Sequence, residues 1–303
     1  MNGVPRPLSR ATLLVLFSAC CFGSIPILIT LATASGARLV DVLAWRYLVA
    51  AVLLVVVSGG LAPVLAPGRR VWWVITLIGG GQAAIAFISL SALRFIPAAT
   101  LTFLFYTYPA WVAVMAAVRG TERMTARRAL ALALSLSGIA LMVGMPGSGG
   151  LHPIGALLAL SSALLYAAYI PLIDTLGRGI PPAVTSAYAT VGAGVILVAV
   201  ASAQGGLALR FAPIGWTVVA ILALLCTVLA FLAFLRGLAE IGPVRTAIVS
   251  TVEPFWTALL GSVVLGQRIG PRTLAGGLLI AAAVIVLQVG QRAIPEPSAP
   301  SIT

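Results

Sequence analysis

The side chain best placed to do chemistry in this sequence is the carboxyl group of Glu253, which directly precedes Pro254 in a long apolar stretch. At helical spacing it shares one face with Thr246, Ser250 and Thr257, a polar stripe on an otherwise apolar segment. An ionisable group inside such a segment is a candidate for function. Removal from water favours the neutral carboxyl, so Glu253 could carry a proton or bind a substrate amine. The alternative is a structural carboxyl that is hydrogen-bonded to a neighbouring helix.

Arg46 is the second ionisable candidate, because it lies about six residues inside another apolar stretch. It could bind a carboxylate or pair with Glu253. Alternatively, its long side chain could extend along the helix to the membrane surface. Asp41 and Asp174 stand at the ends of apolar stretches, where helix caps and interfacial charges are common.

Neutral polar and aromatic residues could complete a pocket around these two charges. Small-molecule pockets are mostly apolar and aromatic, with a few polar groups that orient the ligand. Each such residue alone is also common where membrane helices pack together. We predict a substrate cavity lined by Ser24, Arg46, Gln82, Tyr108, Trp111, Tyr166, Tyr169, Ser250, Glu253 and Trp256.

The residue types that the sequence lacks exclude several classes of protein. All 18 basic residues are Arg, so there is no P-loop Lys and no Schiff-base Lys. His152 is the only His, and Cys20, Cys21 and Cys226 have no C-x-x-C spacing. A Ser-His-Asp triad or a metal centre is therefore not expected. We predict no enzymatic activity, no metal and no cofactor.

The composition is that of a polytopic membrane protein. Of 303 residues, 61% are hydrophobic and 8% are charged, whereas a soluble domain has about 25% charged residues. Most Arg residues stand at the ends of apolar segments, which indicates membrane topology and no nucleic-acid partner. About 20 helical residues cross a hydrocarbon core, and we predict ten such spans: 11–33, 40–58, 72–93, 97–118, 126–145, 153–176, 183–203, 213–236, 243–265 and 272–290.

The second half of the sequence repeats the first half in one fixed register of 145 residues. The matched pairs include Ile25 and Ile170, Pro26 and Pro171, Gly60 and Gly205, Pro109 and Pro254, Trp111 and Trp256, and Arg123 and Arg268. A proline inside a span removes a backbone hydrogen bond, and in lipid the freed carbonyl needs another partner or a wet cavity. We predict hinges at Pro26, Pro109, Pro171 and Pro254, with static packing kinks as the alternative.

Each half has five predicted spans, so two similar units joined head to tail must lie in the membrane in opposite senses. This is the inverted-repeat plan of secondary transporters, whose binding site lies near the bilayer midplane. We therefore predict an all-α integral membrane fold of ten helices, arranged as two inverted five-helix repeats around a central cavity. The expected divisions are an N-terminus at 1–10, the two repeats at 11–147 and 148–291, and a disordered tail at 292–303.

The distribution of Arg residues predicts the orientation. With the N-terminus inside, 12 Arg lie at cytoplasmic ends and five at outer ends, which places both termini in the cytoplasm. The fifth and tenth spans are rich in Ala and Gly, with Gly277 and Ala281 at small-xxx-small spacing. They could pack against neighbouring helices or against a second copy, so we expect a possible homodimer through these spans.

Short motifs in a fixed order resemble those of the drug/metabolite transporter superfamily, in particular its ten-span EamA-type members. The resemblance covers residues 11–290 and rests on Phe22-Gly23-Ser24, Arg46-Tyr47, Ala92-Leu93-Arg94, Pro109 followed by Glu122-Arg123, and Pro254 followed by Gly266-Gln267-Arg268. Three features depart from the family pattern: Thr121 replaces the Gly of a Gly-Glu pair, Gln267 replaces a Glu, and no Lys ends the first span. These departures leave the coupling ion open.

The resemblance implies a secondary active transporter that exports amino acids or related small metabolites across a bacterial inner membrane by alternating access. Within the superfamily the chain is most similar to the aromatic amino acid exporters. The alternative is a multidrug or nucleotide/nucleotide-sugar carrier of the same superfamily. The expected partners are an amino acid-like substrate and the lipid bilayer. A channel or a lipid scramblase would be a different class, in which transport would not saturate.

Overall fold

The structure is a computed structural model that describes residues 10–60, 70–120, 125–143, 151–176 and 180–289. Most of the predicted N-terminal segment, the tail at 292–303 and the Glu122-Arg123 motif lie outside the described residues. Within the described ranges every regular element is helical, which confirms the predicted all-α class.

The described residues form twelve α-helices. A 3₁₀ turn at Ala92–Arg94 follows α3, and a π-helical turn at Leu224–Leu229 joins α9 to α10. The helices are α1 Arg10–Ala34, α2 Leu39–Val57, α3 Arg70–Ser91, α4 Ala98–Phe105, α5 Tyr108–Val118, α6 Ala126–Val143, α7 Pro153–Leu176, α8 Pro182–Ala203, α9 Pro213–Ala223, α10 Ala230–Ser250, α11 Val252–Leu265 and α12 Pro271–Val289.

Six helical runs in the described ranges are long and apolar enough to cross a membrane. Five of them are built on α1, α2, α3, α7 and α8, and the sixth runs from Pro213 to Leu238 through the π-helical turn. Shorter apolar helices at Val252–Leu265 and Pro271–Val286 accompany them.

Two predicted span boundaries differ from the structure. The fourth predicted span is two half-helices, α4 and α5, separated at Tyr106 and Thr107. The eighth and ninth predicted spans were expected to be separated near residues 236–243, but α10 is helical throughout this stretch and ends at Ser250. The interruption lies at Thr251 instead, because Pro254 removes the hydrogen bond that the Ser250 carbonyl would accept.

The two halves of the chain interlock. The first helix of the first half, α1, packs against α10 and α11 of the second half. Its repeat partner, α7, packs against α3, α4 and α5 of the first half. Equivalent helices also pair directly, α2 with α8 and α6 with α12. Side chains from both halves therefore meet in the middle of the bundle.

Glycines allow helices of the two halves to approach closely. A Cβ atom on Gly79 of α3 would lie 2.3 Å from the Cα of Gly192 in α8. A Cβ atom on Gly138 of α6 would lie 2.7 Å from the carbonyl oxygen of Gly276 in α12. Such close backbone packing is typical of membrane helices. Small residues of the fifth and tenth spans are thus used within one chain.

Candidate functional site

Two helix breaks lie at matching places in the two repeats. The break between α4 and α5 at Tyr106 corresponds, after a step of 145 residues, to the break between α10 and α11 at Thr251. Each break is closely followed by one of the matched prolines, Pro109 or Pro254. The Thr107 hydroxyl donates to the carbonyl oxygen of Leu104 at 2.7 Å and so satisfies the end of α4. Broken helices of this kind form the substrate and ion sites of many transporters.

The Tyr106 hydroxyl joins the two breaks. It lies 2.8 Å from the carbonyl oxygen of Ser250 and 2.8 Å from Oε2 of Glu253. The Ser250 carbonyl is the one that Pro254 deprives of its helical donor, so the first break supplies the missing donor to the second. One phenolic proton cannot serve both oxygens at once. A protonated Glu253 would resolve this, because it would donate to the Tyr106 oxygen while Tyr106 donates to Ser250.

Aromatic rings surround this junction. Tyr106 and Tyr108 have ring centroids 6.0 Å apart, and Tyr108 meets Tyr166 of α7 edge-on at 4.8 Å. The ring centroid of Phe105 lies 5.2 Å from that of Tyr166 and 5.8 Å from that of Tyr108. Through Tyr106 the Glu253 carboxyl is thus joined to a cluster of aromatic rings, a residue type that attracts organic cations.

Arg46 lies elsewhere in the bundle and does not pair with Glu253. Its side chain is buried, with Nε donating to the Thr227 hydroxyl at 3.0 Å and the guanidinium carbon 5.1 Å from the ring centroid of Tyr47. Thr227 belongs to the π-helical turn, and its hydroxyl donates to the carbonyl of Leu222 at 2.7 Å. An ion pair at the start of α2 joins Arg38 and Asp41. Arg46 and Glu253 therefore have different hydrogen-bond partners.

Gln82 and Tyr169 pack on the same side of the bundle as Tyr47. The Gln82 amide donates to the Tyr47 hydroxyl at 3.0 Å, and the Tyr169 hydroxyl donates to the carbonyl of Ile78 at 2.7 Å. The Tyr169 ring lies over Gly81, where an added Cβ would be 2.5 Å from the ring. Both predicted residues thus have protein partners.

The two matched tryptophans have different partners. The Trp256 indole N–H donates to the Ser24 hydroxyl at 3.0 Å, and Ser24 donates to the carbonyl of Cys20 at 2.7 Å. The indole nitrogen of Trp111 is buried and has no hydrogen-bond partner among the described residues. A buried donor without a partner is unusual and available to a ligand.

Helix α1 touches the second break through its backbone. The Thr257 hydroxyl donates to the carbonyl of Gly23 at 2.7 Å, and a Cβ on Gly23 would lie 2.8 Å from the carbonyl oxygen of Glu253. Pro26 and Pro171 lie inside α1 and α7, which stay helical around them. Of the four predicted hinge prolines, two therefore accompany breaks and two lie within continuous helices.

A cleft of about 380 Å³, called the α1 cleft below, lies between α1, α9 with the π-helical turn, and α11. Ser24 and Trp256 line it, as do the cysteines Cys20, Cys21 and Cys226. A smaller void of about 70 Å³ lies beside Pro97 and Gln267. The Gln267 amide oxygen accepts from the backbone N–H of Ala98 at 3.2 Å, so this neutral side chain caps the start of α4.

Asp41 holds a loop onto the start of α2. Its carboxylate accepts two hydrogen bonds from the Arg38 guanidinium, at 2.6 and 2.8 Å, and lies 3.4 Å from the backbone N–H of Ala208. Arg38 also donates to the carbonyls of Gln204 and Gly206. The hydrogen bond to Asp41 holds the pKa of Arg38 above its usual value. The side chain of Asp174 lies outside the described residues.

Three contributors were absent from the predicted cavity. Tyr106 supplies the hydroxyl at the junction, and Thr227 accepts a hydrogen bond from Arg46. Gly23 has no side chain, which allows the Glu253 backbone to pack directly against α1. The sequence indicated that the carbonyl freed by Pro254 needed a donor, but not that Tyr106 would supply it. No sequence pattern predicted the contact of Thr227 with Arg46, because the position of Thr227 depends on the π-helical turn.

Comparison with known proteins decides the family. The sequence profile of the EamA-like transporter family matches this chain twice, at residues 9–144 and 153–289. The chain belongs to the EamA-like transporter family. The double match shows that the ten-helix, two-repeat fold predicted from the sequence is correct, and that this family member is a multi-pass membrane transporter and not an enzyme.

Similar proteins agree with this assignment. The chain is 26% identical over 275 residues to "Uncharacterized transporter YcbK" of Bacillus subtilis (strain 168), with 88% of each chain covered. A solved crystal structure that is 19% identical superposes with a TM-score of 0.64 over 93% of this chain and 98% of that one. At this identity the superposition shows the shared fold alone.

Proposed function

We propose that this EamA-family transporter exports amino acids or related small metabolites by alternating access, and that the substrate ammonium binds Glu253. The observation that carries this proposal is the junction at Tyr106. Glu253 stands at a helix break, and its hydrogen-bond partner there is a neutral phenol. No described side chain forms an ion pair with it. A carboxyl without a cationic partner among the described residues is available to a proton or to a cationic ligand.

The remaining groups of an amino acid have candidate partners in the same bundle. Arg46 is a buried cation whose described hydrogen bond goes to a neutral hydroxyl, so it is available to a carboxylate. The free indole N–H of Trp111 is a second donor. The rings of Tyr108 and Tyr166 provide an apolar surface for the substrate side chain. Gln82 and Tyr169 would shape the cavity around it, and the hydrogen-bonded pair of Ser24 and Trp256 would form its wall towards the α1 cleft.

Alternating access would use the matched breaks. Both breaks are followed by prolines, and the Tyr106 hydroxyl is shared between them. Binding of a substrate ammonium to Glu253 would compete with this hydroxyl and loosen the link between the two half-helix pairs. In this proposal Pro109 and Pro254 are the working hinges, and Pro26 and Pro171 bend the first helix of each repeat.

We place the protein in a bacterial inner membrane with both termini in the cytoplasm, as the distribution of Arg residues favours. A homodimer through α6 and α12 stays a proposal. The close approach of Gly138 to Gly276 is made within the chain. A second copy would therefore pack on the outer faces of these helices, where Leu136 and Leu278 are exposed.

An organic cation is a second candidate substrate. The cluster of Tyr rings beside Glu253 favours any amine or quaternary ammonium with an apolar body. A nucleotide sugar is less suited, since its phosphates would need more buried cations than Arg46 alone in the described bundle.

Binding of matched ligands to the purified protein tests the assignment of charges. Tryptophan carries both charged groups, tryptamine lacks the carboxylate and 3-indolepropionate lacks the ammonium. If the proposal is correct, loss of the ammonium abolishes binding, and loss of the carboxylate weakens binding in the wild type but not in Arg46→Gln. Equal binding of tryptophan and 3-indolepropionate would contradict the role of Glu253. Strong binding of tryptamine alone would favour the organic-cation candidate.

A further inference from the structure

The α1 cleft has the shape of a lengthwise groove on the membrane-facing side of the bundle. Along α1 its lining runs from Phe17 to Leu31, which is about 21 Å at a rise of about 1.5 Å per residue. Its rim is exposed, with Phe17 at 44% and Val264 at 47% of full exposure, and Cys226 on its floor is buried at 2%. In a membrane-spanning chain, apolar surface of this kind faces hydrocarbon.

The sequence builds this cleft by placing small side chains where the other repeat has large ones. A step of 145 residues relates Cys21 to Tyr166 and Ser24 to Tyr169. It also relates Gly81 to Cys226. At the matched interface of α7 with α3, the Tyr169 ring lies within 2.6 Å of where a Gly81 Cβ would stand. The corresponding space beside α1 is left open because the short side chain of Ser24 stands where α7 has the Tyr169 ring.

We propose that an acyl chain of a bilayer lipid occupies the α1 cleft as a bound ligand. The lining is almost entirely apolar, so a charged or polar ligand would leave its polar groups unpaired there. A length of about 21 Å exceeds half of a hydrocarbon core of about 30 Å, so the groove accepts one chain from one leaflet. The occupant is therefore a saturated or unsaturated alkyl chain that the membrane itself supplies.

The bound chain would lie next to the transport machinery. The polar pair at the cleft floor is Ser24 with Trp256, whose indole donates to the Ser24 hydroxyl at 3.0 Å. The neighbouring residue, Gly23, packs directly on the backbone of Glu253. An acyl chain in the cleft thus covers the lateral side of α1 at the level of the second helix break and separates that break from bulk lipid.

Photo-crosslinking in vesicles tests the proposal on the full chain without any transport assay. Wild-type protein would be reconstituted with a phosphatidylglycerol that carries a diazirine in one acyl chain, irradiated, and mapped by mass spectrometry. We expect adducts at Ser24 and Trp256 to exceed those at the repeat-matched Tyr169 and Trp111 several-fold. Val195, exposed on α8, reports ordinary contact with lipid.

Two variants install the side chains of the other repeat. Cys21→Tyr and the milder Cys20→Leu would fill the cleft and lower the adducts at Ser24 and Trp256, with those at Val195 unchanged. If Cys21→Tyr fails to fold, Cys20→Leu keeps the test decisive. Equal labelling of the matched positions, or no response to either filled variant, would overturn the proposal. So would suppression of the adducts by excess phenylalanine, because the cleft would then hold the transported side chain.

Discussion

Tyr106→Phe is the substitution that probes the junction of the two helix breaks most directly. It keeps the ring and removes only the hydroxyl, which lies 2.8 Å from both the Ser250 carbonyl oxygen and Oε2 of Glu253. The Ser250 carbonyl has lost its helical donor to Pro254, and inside a membrane no bulk water replaces it. The substitution therefore leaves one carbonyl and one carboxyl group without their hydrogen-bond donor.

The expected cost follows from these two groups. A buried polar group without a hydrogen bond lowers the free energy of unfolding by about 1–3 kcal/mol. Two such groups, with some hydrogen bonding recovered by local rearrangement, lower it by about 2–4 kcal/mol. At about 2 °C per kcal/mol for a chain of this size, the apparent Tm in detergent micelles should fall by about 4–8 °C. Intrinsic fluorescence or near-UV circular dichroism would follow the transition.

Tyr166→Phe is the matched control. Tyr166 belongs to the same aromatic cluster, but its hydroxyl makes no hydrogen bond to the described residues. We expect its Tm to stay close to that of the wild type. A double-mutant cycle of Tyr106→Phe with Glu253→Gln should show coupling, because the two side chains touch. Additivity within about 0.5 kcal/mol, or equal shifts for both Tyr variants, would refute the reasoning.

Three further predictions concern packing and the loop held by Asp41. Gly138→Leu should push α6 away from α12 and cost about 1–3 kcal/mol of stability by overpacking, measured as a fall in Tm, and an unchanged Tm would show that the helices do not pack as described. Gly81→Ala should displace the Tyr169 ring, since the added Cβ lies 2.5 Å from it, and near-UV circular dichroism should change, whereas an identical spectrum would contradict this contact. Asp41→Ala should release the segment 204–208 and speed its cleavage by a protease added to the protein in detergent micelles. An unaltered cleavage rate would show that the carboxylate does not hold that segment.

The helical class and the duplication were accessible from the sequence because they depend on patterns of many residues. Matched prolines and tryptophans in one register cannot arise from apolar composition alone, and the odd number of spans per half fixes the inverted arrangement. The position of the first break was also indicated, since Pro109 removes a hydrogen bond from the middle of a span.

The contacts across the bundle were not accessible in the same way. Pairing with Glu253 was one of the alternatives for Arg46, but Arg46 bonds to Thr227, whose direction depends on the π-helical turn. The role of Tyr106 depends on which half each first helix packs against, and the interlocking of α1 and α7 with the opposite halves is a tertiary property. A break was expected near Pro243, but α10 continues through that residue to Ser250, so a proline does not by itself end a helix in this chain.

Substrate counterflow in proteoliposomes tests the central claim most directly. Vesicles with wild-type protein, Glu253→Gln or Glu240→Gln would be preloaded with unlabelled amino acids and assayed for uptake of a labelled one at two pH values. Glu240→Gln is the matched control, because Glu240 is exposed. The account predicts saturable exchange by the wild type and by Glu240→Gln, and its loss in Glu253→Gln. Exchange by Glu253→Gln equal to that of the wild type at both pH values would contradict it.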